Sequence, residues 1–115
     1  MAKGSYKMNL NLEKKEMNIE IVGNFTPEQA QQFIQDYNNN VNSIHASDFN
    51  LVLDCRDLNV VTKELIPALQ DCYKLYQSTG FNKVIFEIGT SSIVKMQLNR
   101  IAREVGLTNV EFVVV

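Results

Sequence analysis

From Thr26 onward the chain changes its hydrophobic period repeatedly, three stretches with helical spacing being separated by three short apolar runs. This alternation constrains the fold more than any other feature. A chain that runs strand, helix, strand within one sheet needs right-handed crossovers and a mostly parallel sheet. The first helix is announced by Thr26-Pro27-Glu28-Gln29, a capping-box spacing with proline at the first helical position, where its missing N–H costs nothing. Ala30, Phe33, Ile34, Tyr37, Val41 and Ile44 follow at helical spacing and predict a helix over 26–44. Phe49–Leu53 is apolar without alternation, the pattern of a strand covered on both faces, and Asp54 ends it. Leu65, Leu69, Cys72 and Tyr76 form the stripe of a second helix, with Ala68 and Leu75 beside them and Gly80 as its stop. Val84–Ile88 is another buried strand. Thr90, Ser91 or Ser92 caps a third helix whose stripe is Val94, Leu98, Ile101 and Val105, ended by Gly106, and Val110–Val115 is the last strand.

Upstream, YKMNLNL (6–12) and MNIEIV (17–22) alternate apolar and polar residues around the charged turn EKKE, as a half-buried hairpin does. The order is therefore β-β-α-β-α-β-α-β: an α/β fold with a small mixed, mostly parallel sheet that opens on a hairpin. At 115 residues, 45% hydrophobic and 21% charged, without repeats or linkers, residues 5–115 read as a single globular domain. In such sheets the functional crevice lies outside the carboxyl ends of the parallel strands, which directs attention to the loops after Leu53 and after Ile88.

Composition and spacing argue against most chemistries. Eleven basic and thirteen acidic side chains give a formal charge of −2, which provides no overall positive field for nucleic acid or an anionic membrane. The start MAKGSYK lacks a signal-peptide apolar core, and no apolar run approaches the roughly 20 residues of a membrane span, so a cytoplasmic protein is expected. Cys55 and Cys72 have no CxxC spacing and lack the arginine six positions on that a phosphatase-type nucleophile needs, Val61 and Ser78 standing there. His45 is the one histidine, Asp54 and Asp57 are spaced Asp-x-x-Asp, and no glycine-rich phosphate loop is present. No cofactor, metal site or enzymatic activity is expected.

The stretches NIEIVGNFTPEQAQQF, LVLDCRDLNVVTKELIPAL and VIFEIGTSSIVKMQLNRIAREVGL together resemble the STAS domain, the family of anti-sigma-factor antagonists, stressosome subunits and sulfate-transporter tails. NIEIVGNFTPEQAQQF is similar to its strand, glycine, turn and first helix; LVLDCRDLNVVTKELIPAL to its central strand, switch loop and second helix; VIFEIGTSSIVKMQLNRIAREVGL to its next strand and third helix. The resemblance covers nearly the whole chain. It implies a protein partner, an anti-sigma factor or serine kinase, docked beside the switch loop. The family's Asp-Ser-Ser-Gly motif is absent, Thr62-Lys63-Glu64-Leu65 standing in that region, and Thr62 aligns most nearly with the family's Asp.

Thr62 is nevertheless the phosphorylation candidate on independent grounds, since a phosphate at the amino end of a helix is favoured by free N–H groups and the helix dipole. The alternative is a threonine that merely caps or approaches the helix. Pro67 pushes the helix start past Thr62, leaving 56–63 as an exposed loop. The expected partner-binding residues are Asp57, Asn59, Thr62, Lys63 and Glu64 on that loop, with Ile66 and Tyr73 as an apolar strip on the second helix, read as off its buried stripe. Lys95, Arg100 and Arg103 line the outer side of the third helix, a solvated face or a match for an acidic partner. The apolar VEFVVV raises an alternative role, as a structural or assembly subunit in which a sheet edge is covered by another copy or another protein.

Overall fold

Strands β1 (Ser5–Asn11) and β2 (Glu16–Val22) pair antiparallel, Tyr6 opposite Ile21 and Leu10 opposite Met17, in a computed structural model that describes residues 4–115. The period-two pattern sets this register, because a slip of one residue would turn every apolar side chain to water. Helix α1 (Pro27–Val41) then crosses to β3 (Asn50–Asp54), α2 (Ile66–Thr79) to β4 (Lys83–Ile88) and α3 (Ser92–Val105) to β5 (Val110–Val114). The pairs β2–β3, β3–β4 and β4–β5 are all parallel, so the chain is an α/β fold with a five-stranded mixed sheet, its elements following one another as β-β-α-β-α-β-α-β, as the sequence predicts.

The helix ends are set by local chemistry. Thr26 closes a reciprocal box: the Gln29 N–H donates to its Oγ1 at 3.2 Å, and its own N–H donates to Gln29 Oε1 at 3.0 Å. We expect Thr26→Ala to lower the unfolding free energy by about 1 kcal/mol, read as a shift in urea midpoint at constant slope. Ser91 caps α3 through Val94 N–H, and Gly80 and Gly106 end α2 and α3 in the left-handed conformation, each with φ of 83°. Helix α1 stops at Val41, short of the expected 44. Within the asparagine run, Asn40 Nδ2 and Ser43 Oγ donate to the Asp36 and Asn40 carbonyls, a local bonding that competes with continued helix. Ile44 still packs on the core from the turn that follows.

The sheet order is β1-β2-β3-β4-β5, every crossover stepping one strand in the same direction. Right-handed crossovers that never reverse place all helices on one face. Met17, Ile19, Ile21, Leu51, Leu53, Val84, Phe86 and Ile88 turn to that face and join the buried residues of all three helices in one core. The expectation that the central strands are covered on both faces is therefore corrected: β3 and β4 have a helical side and a bare side. For the same reason there is no reversal of strand order and no switch-point crevice of the doubly wound kind. Among the described residues, no helix is long and apolar enough to cross a membrane.

Candidate functional site

The loop between Asp54 and α2 is built by alternate burial. Cys55, Leu58, Val61 and Leu65 point into the core, while Asp57, Asn59, Val60, Thr62, Lys63 and Glu64 are exposed. Both flanks of the loop are fastened. On the β2 side, Gly23 N–H donates to the Asp57 carbonyl at 2.9 Å and Asn59 N–H donates to the Gly23 carbonyl at 3.1 Å, continuing the parallel ladder past the strand ends. Gly23 has a φ of 71°, a conformation that favours glycine, and Asn59 Nδ2 adds a bond to Asn24 Oδ1 at 2.8 Å. On the α3 side, the Gln97 amide grips one residue from both ends: Val61 N–H donates to Oε1 at 2.9 Å, and Nε2 donates to the Val61 carbonyl at 3.0 Å.

The β3 and β4 ends meet beneath this loop. Cys55 N–H donates to the Glu87 carbonyl at 2.8 Å, and a Cβ on Gly89 would lie 2.9 Å from the Arg56 carbonyl oxygen, so only glycine fits under the crossing backbone without a shift. Arg56 folds back on Asp54 with Nε to Oδ1 at 3.0 Å and a terminal nitrogen to Oδ2 at 2.8 Å. That bidentate bond is the main cause that holds the Asp54 carboxyl below its ordinary range. Burial pushes the Cys55 and Cys72 thiols up to about 12, so neither supplies a thiolate nucleophile near neutrality. Asp54 and Asp57 part company, the first paired on the sheet face and the second on the exposed turn.

Thr62 is exposed, but it is not the cap of α2. Leu65 holds that position in a helical conformation without a side-chain bond, and Pro67 occupies the first turn. Leu65 and Ile66 N–H groups donate instead to the Thr62 and Lys63 carbonyls at 3.1 and 3.3 Å. Two of the N–H groups near a phosphate on Thr62 are thus already engaged. The threonine lines a shallow groove of about 200 Å³ together with Asn24, Phe25, Pro27, Val60 and Glu64.

Five of the expected contact residues, Asp57, Asn59, Thr62, Lys63 and Glu64, share the outer side of the loop. Ile66 is half-buried and faces a cleft of about 320 Å³ between the start of α2 and α3, with Val61, Gln97, Arg100, Ile101 and Glu104. Tyr73 corrects the expectation made for it. It is 2% exposed, its ring 5.2 Å from that of Phe86, and its hydroxyl donates to the Leu98 carbonyl at 3.1 Å beneath α3. The cause is geometric: Leu69 and Tyr73 are one turn apart, so the buried stripe of a helix covered by the sheet and two neighbouring helices is wide enough to include both.

Sequence reasoning missed Val60, 51% exposed, and the Gln97 clamp. It also missed Ile93 and Met96, 51% and 61% exposed on the first turns of α3. Ile93 and Met96 stand outside the Val94, Leu98, Ile101 stripe, which was a usable signal; Gln97 gave none, since a glutamine on a polar arc looks like any solvated residue. No protein-family model matches this chain, and no curated protein matches it in sequence. Among the described residues, no group of three or more His, Cys, Asp or Glu side chains is arranged to hold a metal ion.

Proposed function

We propose that the protein is a non-catalytic protein–protein interaction module of STAS-like fold, working in the cytoplasm, whose 55–65 loop and the start of α2 form the partner surface. The observation that carries this reading is the double fastening of the loop, to Gly23 on one flank and Gln97 on the other. A loop held in this way presents Asp57, Asn59, Val60, Lys63 and Glu64 in one fixed arrangement, and a preorganised surface loses less entropy on binding. The exposed Val60 gives that polar surface an apolar centre. On the STAS resemblance, the partner is an anti-sigma factor or a serine kinase. With the family's serine motif absent and the Leu65 and Ile66 N–H groups engaged, binding is constitutive rather than governed by phosphate on Thr62.

Val60→Glu combined with Lys63→Glu alters two exposed side chains and leaves the core intact. Tagged wild type is expected to retain a partner from its native cells that this double variant loses, by at least about tenfold in recovered amount, as expected for charge reversal at a docking surface. Equal recovery by both proteins would remove the loop as the partner surface. A second role, as subunit of an assembly, is favoured by a different observation: the uncovered sheet face and the β5 edge, where Val113, Val114 and Val115 are exposed.

A further inference from the structure

On the bare side of the sheet, the strand register sets Lys7, Glu20, Asp54 and Glu87 side by side across β1, β2, β3 and β4. The next row along the strands is Asn9, Asn18, Val52 and Ile85. Like charges directly opposite one another on neighbouring strands oppose pairing. Arg56 neutralises Asp54 at 2.8 Å, but among the described residues Glu20 and Glu87 make no ion pair within 4.0 Å. Beside these carboxylates the half-buried Ile85 gives the face its apolar surface, Val52 being buried among its neighbours. It has the composition of a surface that a helix with cationic side chains would cover.

Such a helix lies on the opposite side of the molecule. The outer face of α3 exposes Lys95, Met96, Arg100 and Arg103. At 3.6 residues per turn these four side chains fall within an arc of about 140°, with Met96 among the cations. Arg100 is paired with Glu104 at 3.1 Å, whereas among the described residues Lys95 and Arg103 make no ion pair. Lys95 and Arg103 are about 12 Å apart along the helix axis, and Glu20 and Glu87 about 10 Å apart across two strand spacings, so the two charge pairs match in separation.

We propose that the protein self-associates head to tail, the outer face of α3 in one copy lying across the Glu20–Asp54–Glu87 row of the next, with Met96 over Ile85. The contact completes the second helical layer that the one-directional sheet leaves out. The interface is heterologous, so repetition yields a ring or a filament rather than a two-fold dimer. It deepens the assembly reading and is independent of the loop surface. An interface one helix wide belongs to the small, weak class, and the association is expected at protein concentrations of about 100 μM.

Sedimentation velocity on the wild-type chain tests it, at about 20 mM and about 500 mM salt, where screening lengths are roughly 20 and 4 Å. The expected result is a species heavier than monomer at low salt that falls to monomer at high salt. K95E/R103E and E20K/E87K, which alter exposed or half-exposed side chains, are each expected to weaken association at least about tenfold. An equimolar mixture of the two is expected to restore it, since each reversed face then meets its complement. Should E20K/E87K lose its circular dichroism signature, K95E/R103E carries the test alone. Monomer under every condition would overturn both the interface and the assembly reading; capture of a Lys/Arg-rich peptide by that monomer would assign the face to a foreign basic partner. Association indifferent to both reversals would keep an assembly and overturn this interface.

Discussion

Tyr73→Ala is expected to lower the unfolding free energy by about 3–5 kcal/mol, a large part of what a domain of this size possesses. The ring lies between Tyr76 at 5.9 Å and Phe86 at 5.2 Å and forms a junction of α2, α3 and β4. Truncation removes that contact on three sides, and the helices cannot close the gap without leaving the sheet. Burial holds the phenol well above its ordinary range, so the hydroxyl stays a donor to Leu98 at any pH near neutrality. Tyr73→Phe keeps the ring and loses only this bond, and should cost about 1 kcal/mol. Urea unfolding of the pair, followed by far-ultraviolet circular dichroism, separates ring from hydroxyl. A loss below about 1 kcal/mol for Tyr73→Ala would be incompatible with a fully buried ring and would return the residue to the surface.

The same residue shows where the sequence is legible and where it is not. The hairpin, the Thr26 box, a hydroxyl cap within residues 90–92 and the glycine stops at Gly80 and Gly106 could be read directly, because each is a local bargain between neighbouring residues. Element order and mostly parallel pairing followed from the alternation of periods. What depended on assembly was harder. Whether Phe49–Leu53 has one covered face or two is decided by the direction of successive crossovers, and an apolar run such as NLVLD fits both, since Val52 is nearly buried even on the bare face by its neighbours' side chains. A stripe drawn through Leu65, Leu69, Cys72 and Tyr76 leaves Tyr73 outside because it is narrower than the burial a helix acquires between two others. In the candidate site, the exposed polar residues of the loop could be foreseen from Pro67 and the turn-rich sequence. Its fastening could not: the bonds from Gly23 and Gln97 join segments distant in the chain, and neither residue carries a pattern that announces its partner.

Gln97→Ala should therefore loosen the site while leaving the fold in place. It strips two hydrogen bonds from Val61, one to its N–H and one to its carbonyl, beside a side chain that is buried. An amide left without a partner costs about 1–3 kcal/mol, more than the net gain from an ordinary exposed bond. The penalty falls on the loop, because Gln97 sits on a half-buried arc of α3 and its removal opens no core cavity. Amide exchange within 58–65 is expected to accelerate about 5- to 150-fold, with the exchange of β3 and β4 little changed. Gln97→Glu retains an acceptor for the Val61 N–H and loses the donor to its carbonyl, so it should fall between wild type and alanine. If the proposed partner reads a preorganised loop, Gln97→Ala weakens its binding although Gln97 lies outside the expected contact residues, and the weakening should track the gain in exchange. Unchanged exchange in 58–65 would instead mean that the Gly23 ladder alone holds the loop and that α3 has no hold on the partner surface.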